Sequence, residues 1–170
     1  MLKDEVANAL IVQLNKEFQS AYIYLGMSAY ASKSGLNGSS SWFLIQYQEE
    51  LAHAMKLFKY LENHQVTINL PEIKKSNIEF KAILDTFKKA LAHEISMSAN
   101  LNELSDLAMK NKDHATYNML QWYATEQVEE EATLNTIIDK LKLVGDNGYG
   151  LYAIDQELGT RVFVDPTTKA

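Results

Sequence analysis

The chain is 170 residues long and 19.3 kDa in mass, enough for one compact domain with its own core and too short for two ordinary ones. Its 46% hydrophobic and 22% charged residues exclude a disordered chain, and seven Gly with two Pro supply too few turn formers for a β-rich fold. The lack of Cys removes disulfides, thiolate catalysis and cysteine-built zinc or iron–sulfur sites, and a net charge of −6 disfavours nucleic acid as a partner.

No apolar run approaches the ~20 residues that span a bilayer, so no membrane partner is expected. Met1-Leu2-Lys3-Asp4-Glu5 places acids where a signal peptide carries a basic region, which predicts a cytoplasmic location. Such a chain suits hard or borderline cations wherever its acids converge.

The pattern predicts a single all-α domain over residues 1–170. Residues 4–33 form the first helix, with Val6, Leu10, Leu14, Ala21, Tyr24, Ser28 and Ala31 at the three-and-four spacing of one face. Gly35 and Gly38 mark a short turn. The second helix covers 40–63, with Trp42, Ile45, Leu57 and Leu61 inward. Residues 65–77 hold a Pro and several β-branched residues without a helical face, and read as a connection. Ser76 and Glu79 fit a capping box that opens a third helix over 78–110, with Ile83, Phe87, Leu91, Met97, Leu101, Leu104 and Ala108 inward. After a break at 111–113, a fourth helix over 113–144 turns Leu120, Ala124, Leu134, Ile137, Ile138 and Leu141 inward. Gly145 and Gly148 end it, and a short fifth helix covers 149–158.

Connection length sets the topology. The turns near 35–40 and 111–113 force antiparallel neighbours. A helix of about 25 residues is roughly 38 Å long, and 13 extended residues reach about 43–47 Å. The middle link can therefore travel the whole bundle and return the third helix parallel to the second. Two hairpins joined by a long crossover is the connectivity of ferritin-like bundles rather than of an up-down bundle.

Each inner stripe is interrupted by a polar residue. Glu17 falls between Leu14 and Ala21; Glu50 and His53, at i and i+3, fall between Ile45 and Leu57; Glu94 follows Leu91; Gln127, with Glu130 at i+3, lies between Ala124 and Leu134. Counted from the turns at ~1.5 Å per residue, all four heights agree within about 8 Å. Unpaired buried charges cost several kcal/mol each, and no Lys or Arg occupies the stripes at that height, so metal cations are the expected neutralisers. Carboxylates with one imidazole and one amide suit iron or manganese. Glu50 is placed to bridge two ions, with Glu17 and His53 on one and Glu94 and Gln127 on the other. Glu126, Glu129 and Glu130, joined by Glu49 of the second helix, form a second acidic cluster that is either a wet face or a further cation site. Tyr24 and Trp122 lie within reach of the centre, while His64, His93 and His114 are expected at the surface or behind the ligands.

These residues resemble the ferroxidase constellation of bacterial non-haem ferritins: Glu17 with Tyr24, Glu49-Glu50-Leu51-Ala52-His53, Glu94, and Glu126-Gln127-Val128-Glu129-Glu130. The resemblance extends through Leu120-Gln121-Trp122-Tyr123 and Ile137–Leu141 to Gly150-Leu151-Tyr152 with Ile154-Asp155. It implies a shell of 24 identical subunits whose fifth helices line four-fold channels. It also implies oxidation of Fe(II) by dioxygen or hydrogen peroxide at a two-iron centre and storage of a ferric oxide core. Under it Glu17, Glu50 and His53 hold one iron, and Glu50, Glu94 and Gln127 the other. Glu49, Glu126, Glu129 and Glu130 match a third, inner iron site, and Tyr24 supplies an electron or a hydrogen bond. Bacterioferritins instead carry a second E-x-x-H where this chain has Gln127 and Glu130, and a haem-ligating Met where it has Leu51, so haem is not expected. The sequence beyond Gly159 matches nothing in the family pattern.

About three protein ligands per ion leave open positions for an oxidant, and the weak amide of Gln127 lets oxidised iron depart. The alternative is a carboxylate-bridged oxidoreductase that keeps two irons and acts on a small substrate without storage. That class favours a symmetric second E-x-x-H, which the fourth helix lacks.

Overall fold

The computed structural model describes residues 2–75 and 79–168. It contains α1 (Asp4–Lys33), α2 (Asn37–Asn63), α3 (Ile83–Lys110), α4 (His114–Val144) and α5 (Gly148–Leu158), with a closing 3-10 turn at Pro166–Thr168. α1 packs along α2 and α3 along α4, the pairs meet through α1 and α3, and α5 lies against α2 and α4. All seven stripe residues foreseen on α1 are buried.

The helix ends show why the hairpins turn where they do. Gly35 has φ +77°, and the amides of Gly35 and Leu36 return to the carbonyls of Ser32 and Ala31, closing a Schellman motif after α1. The same hydrogen-bond pattern follows α2 and α3 with Gln65 (φ +57°) and Lys112 (φ +56°) in the left-handed position. Asp113 caps α4, accepting from the Thr116 amide at 3.1 Å and its hydroxyl at 2.7 Å. Asn147 caps α5 through the Gly150 amide at 2.9 Å.

α2 begins at Asn37, three residues before the sequence expectation, because its first amides borrow a carboxylate from α5. Asp155 accepts from the amides of Gly38 (2.9 Å) and Ser39 (2.7 Å) and from the Ser39 hydroxyl (2.7 Å). α3 begins at Ile83 rather than 78. Glu79–Ala82 are not helical, Ala82 is extended, and Asp85 accepts from the Lys81 amide at 3.0 Å. The expected capping box falls largely on residues 76–78, outside the described residues.

The crossover spans the bundle as its length foretold. Val66 and Ile68 pack on one apolar cluster and Phe80 on the other, and between them Asn15 donates to the Glu72 carbonyl at 3.2 Å. One cluster holds Leu10, Leu14, Leu57, Leu61, Leu101 and Leu120. The other holds Tyr24, Met27, Phe43, Phe87, Ile138 and Leu158. A buried polar layer separates them.

Candidate metal centre

That layer is built from one or two residues of each long helix. Glu17, Glu50, His53, Glu94 and Gln127 are all buried, the first four at 1–2% exposure. Each sits where the apolar spacing of its own helix turns the side chain inward, so the centre is set by the same periodicity that forms the core.

The side chains form two groups that share Glu50. One atom each from Glu17, Glu50 and His53 lie within 4.8 Å of one another, and so do atoms of Glu50, Glu94 and Glu130. Glu130 is the unexpected member of the second group: the sequence sets it at i+3 from Gln127 but assigns it as a ligand only to the outer acidic cluster, yet its Oε2 is buried although the residue as a whole is partly exposed. Gln127 lies against the same group and donates from its amide to the Glu94 carboxylate and backbone carbonyl, each at 3.1 Å. Tyr24 donates to Glu94.

Supporting contacts come from Gln13 and Tyr123, which the sequence reading passed over, and from Trp122, which it placed within reach of the centre. Gln13 donates to Glu17 at 2.8 Å, one turn away on α1. The Tyr123 hydroxyl donates to the His53 carbonyl at 2.8 Å, and the Trp122 ring meets His53 edge-on at 5.4 Å. Gln13 and Tyr123 each stand four residues before a residue of the centre, on the same helix face, a signal present in the spacing. His93 is half-buried with Nε2 2.7 Å from the Ser20 hydroxyl.

Electrostatically the centre is under strain. Burial, opposed in part by His53, raises the Glu17 carboxyl; burial and then Glu94 push those of Glu50 and Glu130 well above the usual range. The Tyr24 phenol is raised by burial and by Glu94, and so remains a donor at neutral pH. Glu50 Oε1, His53 Nε2 and Glu130 Oε2 are buried with no hydrogen-bond partner. Buried polar atoms are ordinarily paired. Two carboxylate oxygens and one imidazole nitrogen are thus left open in two groups that share Glu50, donors of the kind taken by cations that favour oxygen with one nitrogen.

Beside this layer Glu49, Glu126, Glu129 and Glu130 line one cavity of about 80 Å³, together with Trp42, Gln46 and Arg161. The four acids of the outer cluster thus come together, and Glu130 belongs to both sites. Gln46 connects them further, donating to Glu130 at 3.2 Å.

A four-helix bundle with a long crossover, built around two groups able to hold a metal ion and sharing one carboxylate, fits the class of metal-handling helical bundles. Residues 7–144 match the family model of the ferritin-like domain. A bacterial non-heme ferritin of Campylobacter jejuni is 40% identical over 156 residues, covering 92% of this chain and 93% of its own. One from Escherichia coli is 40% identical over 163 residues, covering 94% and 97%. Among solved structures, a closed form of Archaeoglobus fulgidus ferritin engineered by mutagenesis aligns with a TM-score of 0.95 at 40% identity, covering 96% of this chain and all of that one. The chain belongs to the ferritin family, with bacterial non-haem ferritins as its relatives along nearly its full length.

Proposed function

We propose that this protein oxidises Fe(II) and stores the ferric product inside a closed assembly of its own copies, a 24-subunit shell in the cytoplasm. The observation that carries this reading is the pair of buried ligand groups sharing Glu50, with three polar atoms left open for a cation. Glu17, Glu50 and His53 take one Fe(II). Glu50, Glu94 and Gln127, with Glu130 added by its position, take the other. Dioxygen or hydrogen peroxide accepts the electrons, and no haem takes part.

The chain's own residues set up the chemistry. Gln13 orients Glu17 and Tyr24 orients Glu94, so each carboxylate is held before iron arrives. Acids whose carboxyls are raised by burial exchange protons for metal, so iron binding releases protons into the site. The second group includes a neutral amide, a weaker ligand than carboxylate, which favours departure of oxidised iron toward Glu49, Glu126 and Glu129. Residues exposed in the single chain on α1 (Val12, Tyr22, Leu25) and α5 (Tyr149, Tyr152) supply apolar surface for the assembly.

Aerobic addition of Fe(II) to the purified protein, with ferric absorbance followed and the particle sized by gel filtration, tests the proposal. A shell-sized particle that oxidises and retains many irons per chain, and slows at least ~100-fold in Glu50→Ala, is expected. A small oligomer that binds two irons and stores no more would contradict it and favour the oxidoreductase.

A further inference from the structure

The segment after α5 does not trail into solvent. It folds back along α2, ending in the 3-10 turn that packs on that helix. On the way Arg161 reaches the acidic cavity. Its guanidinium donates to Gln46 Oε1 at 2.6 Å and to a Glu49 carboxylate oxygen, and lies 4.7 Å from the ring centre of Trp42. The Arg161 side chain is 26% exposed and that of Glu49 14%, so the ion pair is largely out of water. Pro166 is buried in the wall of the same cavity. Glu130, whose Oε2 is buried without a hydrogen-bond partner, lines the same cavity. Gln46 links Arg161 to Glu130, accepting from the first and donating to the second.

We propose that Arg161 is the resident counter-ion of this cavity: it holds Glu49 while no metal is present and is displaced when a cation enters, so that residues 159–168 are latched in the first state and released in the second. This rests on reading the cavity as a cation site. Guanidinium and metal compete for the Glu49 carboxylate and repel one another across it, whereas a metal can draw oxygen ligands from several acids of the cavity wall at once. Binding and release are then linked: whatever tightens the latch weakens the metal by the same factor. Arg suits the position because its planar group can stack on Trp42 while donating to two acceptors, which a Lys cannot do. Arg161 is a positioning residue in this scheme, acting on iron through Glu49.

Terbium(III), a redox-inert cation that prefers oxygen ligands, tests the latch without turnover. In the assembled Trp122→Phe protein, Trp42 is the remaining indole and sensitises terbium bound in the cavity. Hydrogen exchange of the wild-type assembly with and without terbium reads the tail. Terbium is expected to speed exchange at 160–168, and Arg161→Gln to bind it about ten-fold more tightly, with Arg161→Lys between. No Trp42-sensitised emission overturns the cation site and the latch together. Emission with an unchanged tail and unchanged affinity in Arg161→Gln overturns the latch alone. Should the variants fail to assemble, the exchange measurement on the wild type decides.

Discussion

Glu50 has one oxygen with no hydrogen-bond partner, and its nearest titratable neighbours include Glu17 and Glu94, themselves acids. In the metal-free protein that arrangement is destabilising, because a buried carboxylate is desolvated and repelled at once. Glu50→Gln keeps the shape and removes the acid. The variant is expected to gain about 1–3 kcal/mol in the presence of a chelator, seen as a higher Tm, and to lose iron oxidation. A lower Tm would mean that the carboxylate stabilises the empty protein. Most of this candidate site was legible because each of its buried polar residues interrupts an apolar stripe, and the stripes fix both face and height. Glu130 was only half legible: its i+3 relation to Gln127 gave the face, but the acidic run around it reads equally as a solvated surface. Arg161 gave no signal, since its role depends on a tail returning to α2 through tertiary contacts.

Among the elements, the join between α2 and α5 depends on close backbone approach. A Cβ on Gly38 would lie 1.6 Å from the Asp155 carbonyl oxygen, a contact that only backbone movement could relieve. Gly38→Ala is therefore expected to destabilise by about 1–3 kcal/mol or more, and to lower protection of α5 in hydrogen exchange; a neutral result would show that α5 is loosely held. Lys112, left-handed at the end of α3, offers the opposite case. Lys112→Gly is expected to raise stability by up to ~1–2 kcal/mol, measured by denaturant unfolding. Helix count, crossover and inward faces followed from periodicity and connection length. The start of α2 did not, because its cap is Asp155 from a distant element. Nor did the start of α3, where Glu79–Ala82 are not helical despite a favourable composition.

At the scale of the whole molecule, the polar layer splits the core in two, so folding without metal brings several acids together between apolar clusters. The carboxyls of Glu17, Glu50 and Glu130 are raised from about 4.5, so in the folded state they keep protons that the unfolded chain has released. The stabilisation is fully present below the unfolded value and is lost as pH rises through the raised ones. Unfolding of the chelated protein should therefore become easier from pH 5 toward neutral, by up to ~1.4 kcal/mol per pH unit for each such group. Zn(II) should flatten that slope by replacing protons with a cation. An apo stability that rises with pH over this range would mean that the acids are ionised and paired in the fold.

The most direct measurement is anomalous diffraction at the iron edge from crystals loaded with Fe(II) without oxygen. Two peaks on either side of the Glu50 carboxylate are expected, one against Glu17 and His53 and the other against Glu94, and both should vanish in Glu50→Ala. Iron found only on exposed acids, with the polar layer empty, would contradict the account.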